Sequence, residues 1–216
     1  MAAWHGRDDV ASIALQGTDA PPLRALERLL QTLRDAGFRE VVTNALGPGA
    51  SLPLVDVGFA VKGRLHLLTH DLTSLPPSSG RTRQATKRDD ARLVAVDEAA
   101  FDEFWRFDAV ALHEAERATP KARTLVAPDE ELFAGYALFG RSGATGYIQR
   151  LAVAPSSQRA GLGRALLGDG LLWTRAQGAS RAMVNTQEDN ERALNLYTSM
   201  GFTRLPVGLC VLGCTL

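Results

Sequence analysis

Leu23, Leu26, Leu29, Leu30 and Leu33 recur at spacings of three and four, the stripe of a helix that buries one face, and Gly37 stops it. Phe38–Thr43 then reads as a strand, and Phe59–Val61 with Leu65–Leu72 as a hairpin closing around Lys62-Gly63. Further on, Leu93–Val96 reads as a short strand with Asp97 as the N-cap of a following helix. Phe101, Phe104, Trp105 and Val110–Leu112 keep a helical spacing up to Ala118, with a break near Asp108, and Pro120 ends that unit. Arg123–Ala127 and Leu132–Phe139 read as a hairpin joined by a Pro-Asp turn. Arg141-Ser142-Gly143 makes the next turn and Tyr147–Val153 the next strand. A polar stretch from Ala154 to Gly163 opens a helix that runs to about Gln177 and is stopped by Gly178. Ala182–Thr186 is a strand, Glu191–Met200 a helix, and Gly201 to Leu216 holds two short strands. The order predicts an α/β fold, a mixed central sheet flanked by helices.

Pro76 to Asp90, PPSSGRTRQATKRDD, carries no apolar period and reads as a linker. It separates residues 1–75 from a larger region, 91–216. The two regions can be laid on each other. Arg24-Ala25-Leu26 matches Arg164-Ala165-Leu166, Gly37 to Asn44 matches Gly178 to Asn185, and Gly58-Phe59 falls where Gly201-Phe202 falls. The first region is therefore expected to be a truncated half-domain resembling the second half of the other.

Composition narrows the function classes. Of 216 residues, 24 are basic and 24 acidic, a net charge of zero that argues against a general nucleic-acid binder. No apolar run approaches the ~18–20 residues that span a bilayer, and the start, MAAWHGRDDV, lacks the apolar core of a secretory signal, so a cytoplasmic location is expected. Cys210 and Cys214 on one strand would sit ~13 Å apart, too far for a disulfide, which needs Cα atoms within ~7 Å.

Chemistry concentrates in Gln158-Arg159-Ala160-Gly161-Leu162-Gly163-Arg164-Ala165, a Q-x-x-G-x-G-x-A run between a strand and a helix. Glycines permit close backbone approach, and the free amides and dipole of a helix start favour a pyrophosphate. Arg159 and Arg164 add charge-assisted donors. A dinucleotide loop fits worse: Pro155 to Ala160 separate the strand from Gly161, Leu166 stands where a third glycine belongs, and no acidic residue ends a strand at the right distance. A Walker A loop fails for want of Gly-Lys-Ser/Thr.

This run, preceded by Leu151-Ala152-Val153 and Pro155, resembles the acyl-CoA loop of the GNAT superfamily of N-acetyltransferases. Asn190 to Phe202, N-x-x-A-x-x-x-Y-x-x-x-G-F, resembles that family's second signature. The stretch Val184-Asn185-Thr186-Gln187 resembles actinobacterial members, some with tandem domains. The resemblance covers roughly Ala91 to Leu216. It implies acetyl-CoA as co-substrate, no metal, and a primary amine of a small molecule or peptide as acceptor, attacked directly in a ternary complex. The main chain of Leu151 and Val153, flanking Ala152, would hold the pantetheine arm. Gln158 and the amides from Arg159 to Arg164, with Ala160, Gly161, Leu162, Gly163 and Ala165 shaping the loop, would hold the pyrophosphate. Asn190 would contact the cofactor near its pantetheine or acyl end, and Tyr197 would protonate the departing thiolate. A phenol of pKa ~10 suits a thiolate of conjugate pKa ~8.5 or above.

The general base is open: the central strand offers Tyr147, Gln149 and Arg150 but no carboxylate, leaving Glu188, Asp189 or water. On the repeat alignment Leu54 takes the place of Tyr197, and Gly17-Thr18-Asp19-Ala20-Pro21-Pro22 replaces the glycine loop, so the first region carries no second cofactor site. His66 and His70 lie on a strand without a third ligand, and His113 falls in the expected acceptor region. A non-catalytic acyl-CoA-binding or regulatory module is the alternative, and a homodimer is compatible with everything read.

Overall fold

The computed structural model describes every residue except Met1, Gln16, Thr18 and Asp129–Leu132; the side chains of Ala2, Pro128 and Phe133 are likewise outside it. The elements in chain order are β1 (Ala2–Trp4), β2 (Arg7–Ile13), α1 (Leu23–Asp35), β3 (Glu40–Thr43), α2 (Pro48–Asp56), β4 (Ala60–His70), β5 (Arg83–Gln84), α3 (Asp90–Ala100) and α4 (Ala109–Arg117). They continue with β6 (Lys121–Pro128), β7 (Phe133–Ser142), β8 (Thr145–Val153), α5 (Leu162–Ala176), β9 (Arg181–Gln187), α6 (Glu191–Ser199), β10 (Thr203–Arg204) and β11 (Leu209–Thr215). Short 3-10 turns occupy Lys87–Asp89 and Pro155–Ser157. The chain forms two compact units: residues 1–67, 185–191 and 204–216 in the first, and 68–184 with 192–203 in the second.

In the first unit the strand order is β1-β2-β3-β11-β4. β2 and β3 pair in parallel, Val10 opposite Glu40, while β11 runs antiparallel to both β3 and β4. The last strand of the chain thus lies between two strands from its beginning. Leu26 and Leu33 of α1, Ala50 and Leu54 of α2, Val41, Phe59 and Leu212 form the core.

In the second unit the order is β5-β6-β7-β8-β9. Alternate residues serve opposite faces, as a pleated strand requires. Leu125, Ala137, Phe139 and Ile148 meet α5, whereas Val126, Tyr136 and Ala152 meet Leu93, Val96 and Leu112 of α3 and α4. α5 packs so tightly that a Cβ on Gly170 would lie 1.9 Å from Phe139 Cζ. The register of β7 on β8 shifts between Leu138, opposite Arg150, and Phe139, opposite Ile148, making Gln149 a bulge. That extra residue moves Arg150 to the face opposite Ile148.

Several expectations change. Leu93–Val96 is a turn of α3 rather than a strand; a four-residue apolar run fits either element, and spacing Leu93 and Val96 by three seats both on the sheet. Asp97 lies inside that helix, buried, and caps nothing; Asp108 caps α4, its side chain accepting from the Ala111 amide at 2.7 Å. The hairpin expected around Lys62-Gly63 is one unbroken strand, β4. Strands β1 and β2 and helix α2 were unforeseen; α2 carries Pro48, Pro53 and no clear apolar stripe. The segment 76–90 carries β5 and a capping box at Thr86 and Asp89. The expected Pro-Asp turn and the start of its strand at Leu132 fall outside the described residues, as does Thr18 of the first-region loop.

Candidate active site

The parallel ladder of β8 on β9 runs Thr145–Arg181, Gly146–Ala182 and Tyr147–Met183 and ends there, while β8 continues through Leu151, Ala152 and Val153. β8 therefore offers a length of main chain on that side with no ladder partner among the described residues. Such an edge can accept another extended chain as an added strand.

The chain then turns through Pro155–Ser157 into the glycine loop. Gln158 anchors the loop, its Nε2 donating to Val153 O at 3.0 Å and its Oε1 accepting from Arg192 of α6. Arg159 has φ +66° and Gly161 φ +79°, both left-handed. For arginine that conformation is uncommon and costs of order 1–3 kcal/mol where the surroundings enforce it. Alternating left- and right-handed residues turn successive amides to one side, the geometry of an anion-binding concavity. The first amide to close onto α5 is that of Ala165, onto Gly161 O at 3.0 Å. The amides of Leu162, Gly163 and Arg164 precede it and are the free donors of a helix start. Leu162 and Ala165 bury their side chains in the core, so these two contribute to the loop through their backbone.

Gly163 packs closely on α6: a Cβ there would stand 3.2 Å from Leu196 Cδ2, so a side chain would require that leucine to shift by a few tenths of an ångström. α6 brings Tyr197 into the same core as Leu162 and Leu166, its ring 5.5 Å from that of Phe202. Burial raises the Tyr197 phenol well above its ordinary value, and the positive charge of Arg150 works weakly against this. Its hydroxyl makes no hydrogen bond to the described residues. The phenol is a neutral donor at physiological pH.

One expected role changes. The Arg164 side chain turns away from the loop: Nη1 donates to Met200 Sδ at 3.0 Å and Nη2 to Ser199 Oγ at 2.7 Å. It ties α5 to α6 and leaves only its amide at the helix start. Asn190 belongs to the first unit; its amide donates to Gln187 O at 3.1 Å in the turn that leads to α6. The structure thus brings together Leu151, Ala152, Val153, the run from Gln158 to Ala165, and Tyr197 within one unit.

A model of the acetyltransferase (GNAT) family matches residues 91–202, more than half of the chain. The chain belongs to the GNAT acetyltransferase family. Among curated relatives, a mycothiol acetyltransferase of Frankia alni is 31% identical, over 73% of this chain and 55% of its own length. One from Stackebrandtia nassauensis is 36% identical over 54% of this chain and 42% of its own. The chain spans about half the length of the curated relatives it matches. Among solved structures, a tandem GNAT protein from the clavulanic acid biosynthesis pathway has a TM-score of 0.67 at 13% identity, covering 97% of this chain and 76% of that one. A GCN5-related N-acetyltransferase from Kribbella flavida has 0.64 at 15%, covering 96% and 84%. At these identities the likeness is one of fold. Both agree with the mixed sheet flanked by helices.

Two features of this GNAT unit were not foreseen. Arg81, in the segment read as a linker, donates from Nη1 to Ala160 O at 3.0 Å. No local pattern marks it; only the tertiary fold brings it to the loop. The second is a buried polar knot beneath β8. Asp97 accepts from Arg150 Nε at 2.7 Å and Nη2 at 2.6 Å, from Tyr136 Oη at 2.5 Å and from the Phe107 amide at 2.5 Å. The Arg150 guanidinium lies 3.5 Å and 4.0 Å from the ring centroids of Phe101 and Phe107. No helix of the described residues is long and apolar enough to cross a membrane, and none of their His, Cys, Asp and Glu side chains group in threes to hold a metal.

Proposed function

We propose that the second unit transfers an acetyl group from acetyl-CoA to a primary amine of a small molecule or peptide, by direct attack in a ternary complex. The observation that carries this reading is the β8 ladder ending at Tyr147 while the strand runs on into the left-handed loop at Arg159 and Gly161. The unpaired edge of β8 suits the amides of a pantetheine arm, and the amides at the start of α5 suit a pyrophosphate. The residues present therefore fit the donor.

When bound, acetyl-CoA supplies a thioester activated toward amines. Unpaired amides of β8 near Leu151 are donors of the kind that stabilise charge developing on a carbonyl oxygen. As the amine nitrogen bonds to the acyl carbon and the carbon–sulfur bond breaks, Tyr197 delivers its phenolic proton to the departing sulfur and recovers one from solvent. The amine loses its own proton to water or a carboxylate. The curated relatives are named mycothiol acetyltransferases; the family membership supports acetyl transfer here, and the acceptor is taken as a primary amine without a narrower name.

Titration calorimetry with CoA, NAD and ATP tests the donor site: CoA binding is expected, and tight NAD or ATP binding without CoA would overturn it. Thiol release across an amine panel tests turnover. CoA binding with no turnover on any amine, unaffected by Tyr197→Phe, supports the binding-module alternative instead.

We also infer that the first unit is a partial copy of the second. Its run β2-α1-β3-α2-β4 follows the same strand and helix order as β8-α5-β9-α6 with the strands after it, and both runs begin with a parallel strand pair. Pro22 precedes α1 where Gly161 precedes α5, and Leu54 stands for Tyr197, so this copy carries neither loop nor acid.

A further inference from the structure

We propose that Arg81 is a phosphate ligand of the CoA-type donor, supplied from outside the region that the family model matches. This rests on the reading of the second unit as an acetyl-CoA site. Arg81 precedes residue 91, where the match begins, yet its guanidinium sits on the loop. Nη1 donates to Ala160 O, and a Cβ on Gly161 would be only 3.5 Å from that nitrogen.

The segment that carries it is fixed on both sides. Asp169 of α5 accepts from the Ser79 amide at 2.9 Å, Ser79 Oγ at 2.7 Å and Thr82 Oγ1 at 2.7 Å. On the far side Arg83 and Gln84 pair with β6, and the Ala85 amide donates to Thr124 O at 2.9 Å. Gly80, at φ +65°, and the Arg81 amide, donating to Ser79 Oγ at 3.1 Å, make the tight turn that presents the side chain.

A guanidinium has five N–H donors in a planar fork suited to phosphate oxygens. The bond to Ala160 uses one donor, and the side chain is exposed, so the rest of the fork is free to meet a ligand. Of the two arginines that the loop's own sequence supplies, Arg164 is committed to Ser199 and Met200, which leaves Arg159 and makes a second cation at the loop useful to a doubly charged pyrophosphate. Asp169 is the acidic neighbour on α5, and its oxygens are engaged by Ser79 and Thr82. A phosphate on the amides of the loop would therefore meet Arg81, held in place by its bond to Ala160 O, as well as the loop's own Arg159.

The test is calorimetric binding to the full chain of CoA, 3′-dephospho-CoA and pantetheine, for wild type, Arg81→Ala and Arg81→Gln, with thermal unfolding as a check of fold. Both variants are expected to weaken CoA by roughly 10- to 100-fold, the range for losing a charge-assisted pair, and to leave pantetheine unchanged. An equal loss with dephospho-CoA assigns the contact to the pyrophosphate, and a loss confined to CoA assigns it to the 3′-phosphate. Glutamine keeps a donor for Ala160 O without the charge. Wild-type affinity in Arg81→Gln would show a structural role only and overturn the proposal, as would unchanged CoA affinity in Arg81→Ala. Absence of CoA binding by the wild type would instead overturn the underlying reading.

Discussion

Tyr197 and Leu54 hold the same place in two helix caps. The Phe202 amide closes onto Tyr197 O at 3.1 Å, and the Phe59 amide onto Leu54 O at 3.0 Å, across Gly201 (φ +92°) and Gly58 (φ +101°). Gly37 and Gly178 end α1 and α5 in the same way, with Phe38 and Ala179 closing onto Leu33 and Thr174. These are paired bonds of the Schellman type, which need a residue in the left-handed region and select glycine for it. The cap depends on backbone atoms, so the side chain at its start is free to differ: an acid candidate in one unit, a core leucine in the other.

Tyr197→Phe should therefore fold normally and keep its affinity for CoA while turnover falls by roughly 10- to 100-fold, the scale of a lost general acid. Because burial holds the phenol above its ordinary value near 10, the wild-type kcat should show no descending alkaline limb from this group up to pH 10. A limb near pH 8 that vanishes in Tyr197→Phe would contradict that assignment. Stability has the same sign. Both folded and unfolded tyrosine are protonated below about pH 10; above it the unfolded phenol ionises first, so stability falls as pH rises.

Asp97→Ala should cost about 3–5 kcal/mol, because it leaves the buried Arg150 charge without its carboxylate. Asp97→Leu combined with Arg150→Met should cost less than either single change, since it removes both charges together. Urea unfolding of all the variants checks the order. If Asp97→Ala lost under 1 kcal/mol, the knot would not be compensating a buried charge.

How much of this was legible follows from how local each feature is. The glycine loop, the stops at Gly37 and Gly178 and the α6 signature are runs in which each residue answers to its sequence neighbours, whereas Gly58 ends a helix, α2, that the pattern did not announce. Asp97 and Arg150 lie far apart in the sequence, and their pairing depends on the Gln149 bulge, which no periodicity announces. Asp97 was read as a cap because a surface helix start is the commoner home of a lone aspartate. β1 and β2 were missed because Arg7–Ile13 opens on consecutive charges and becomes a strand by pairing with β3.

Acid should destabilise the segment that carries Arg81. Hydrogen bonds from Arg83, helped by those of Thr86, hold Asp89 far below the usual carboxylate range despite its burial. At Asp169 burial acts upward, but the hydrogen bonds from Ser79 and Thr82 outweigh it and the net shift is downward. A depressed folded value means that the contribution is complete above the unfolded pKa, about 4, and is lost as pH falls below it. Thermal stability should therefore begin to drop as pH falls through about 5 to 4 and keep falling below about 3, down to the depressed folded values. Asp89→Asn should be less stable at neutral pH and show a shallower drop. An unchanged slope in that variant would remove Asp89 from the account.

The last strand should stabilise the first unit more than the second. Leu212 of β11 is fully buried among Leu26, Leu33, Leu46 and Leu54. Its amide donates to Thr43 Oγ1 at 3.0 Å, and Cys210 and Leu46 exchange backbone bonds of 2.8 Å. β3 and β4 each take β11 as a neighbour, so without it both present open edges. Leu212→Ala should cost about 2–5 kcal/mol through the lost burial and the cavity left behind. The three tryptophans allow the loss to be located. Trp4 belongs to the first unit and is nearly buried, whereas Trp105 and Trp173 belong to the second. In a Trp105→Phe, Trp173→Phe background, Trp4 fluorescence reports the first unit alone. Its urea midpoint should fall in Leu212→Ala, and deletion of residues 208–216 should make residues 1–67 susceptible to limited proteolysis. An unmoved Trp4 midpoint would mean that β11 is not part of that core.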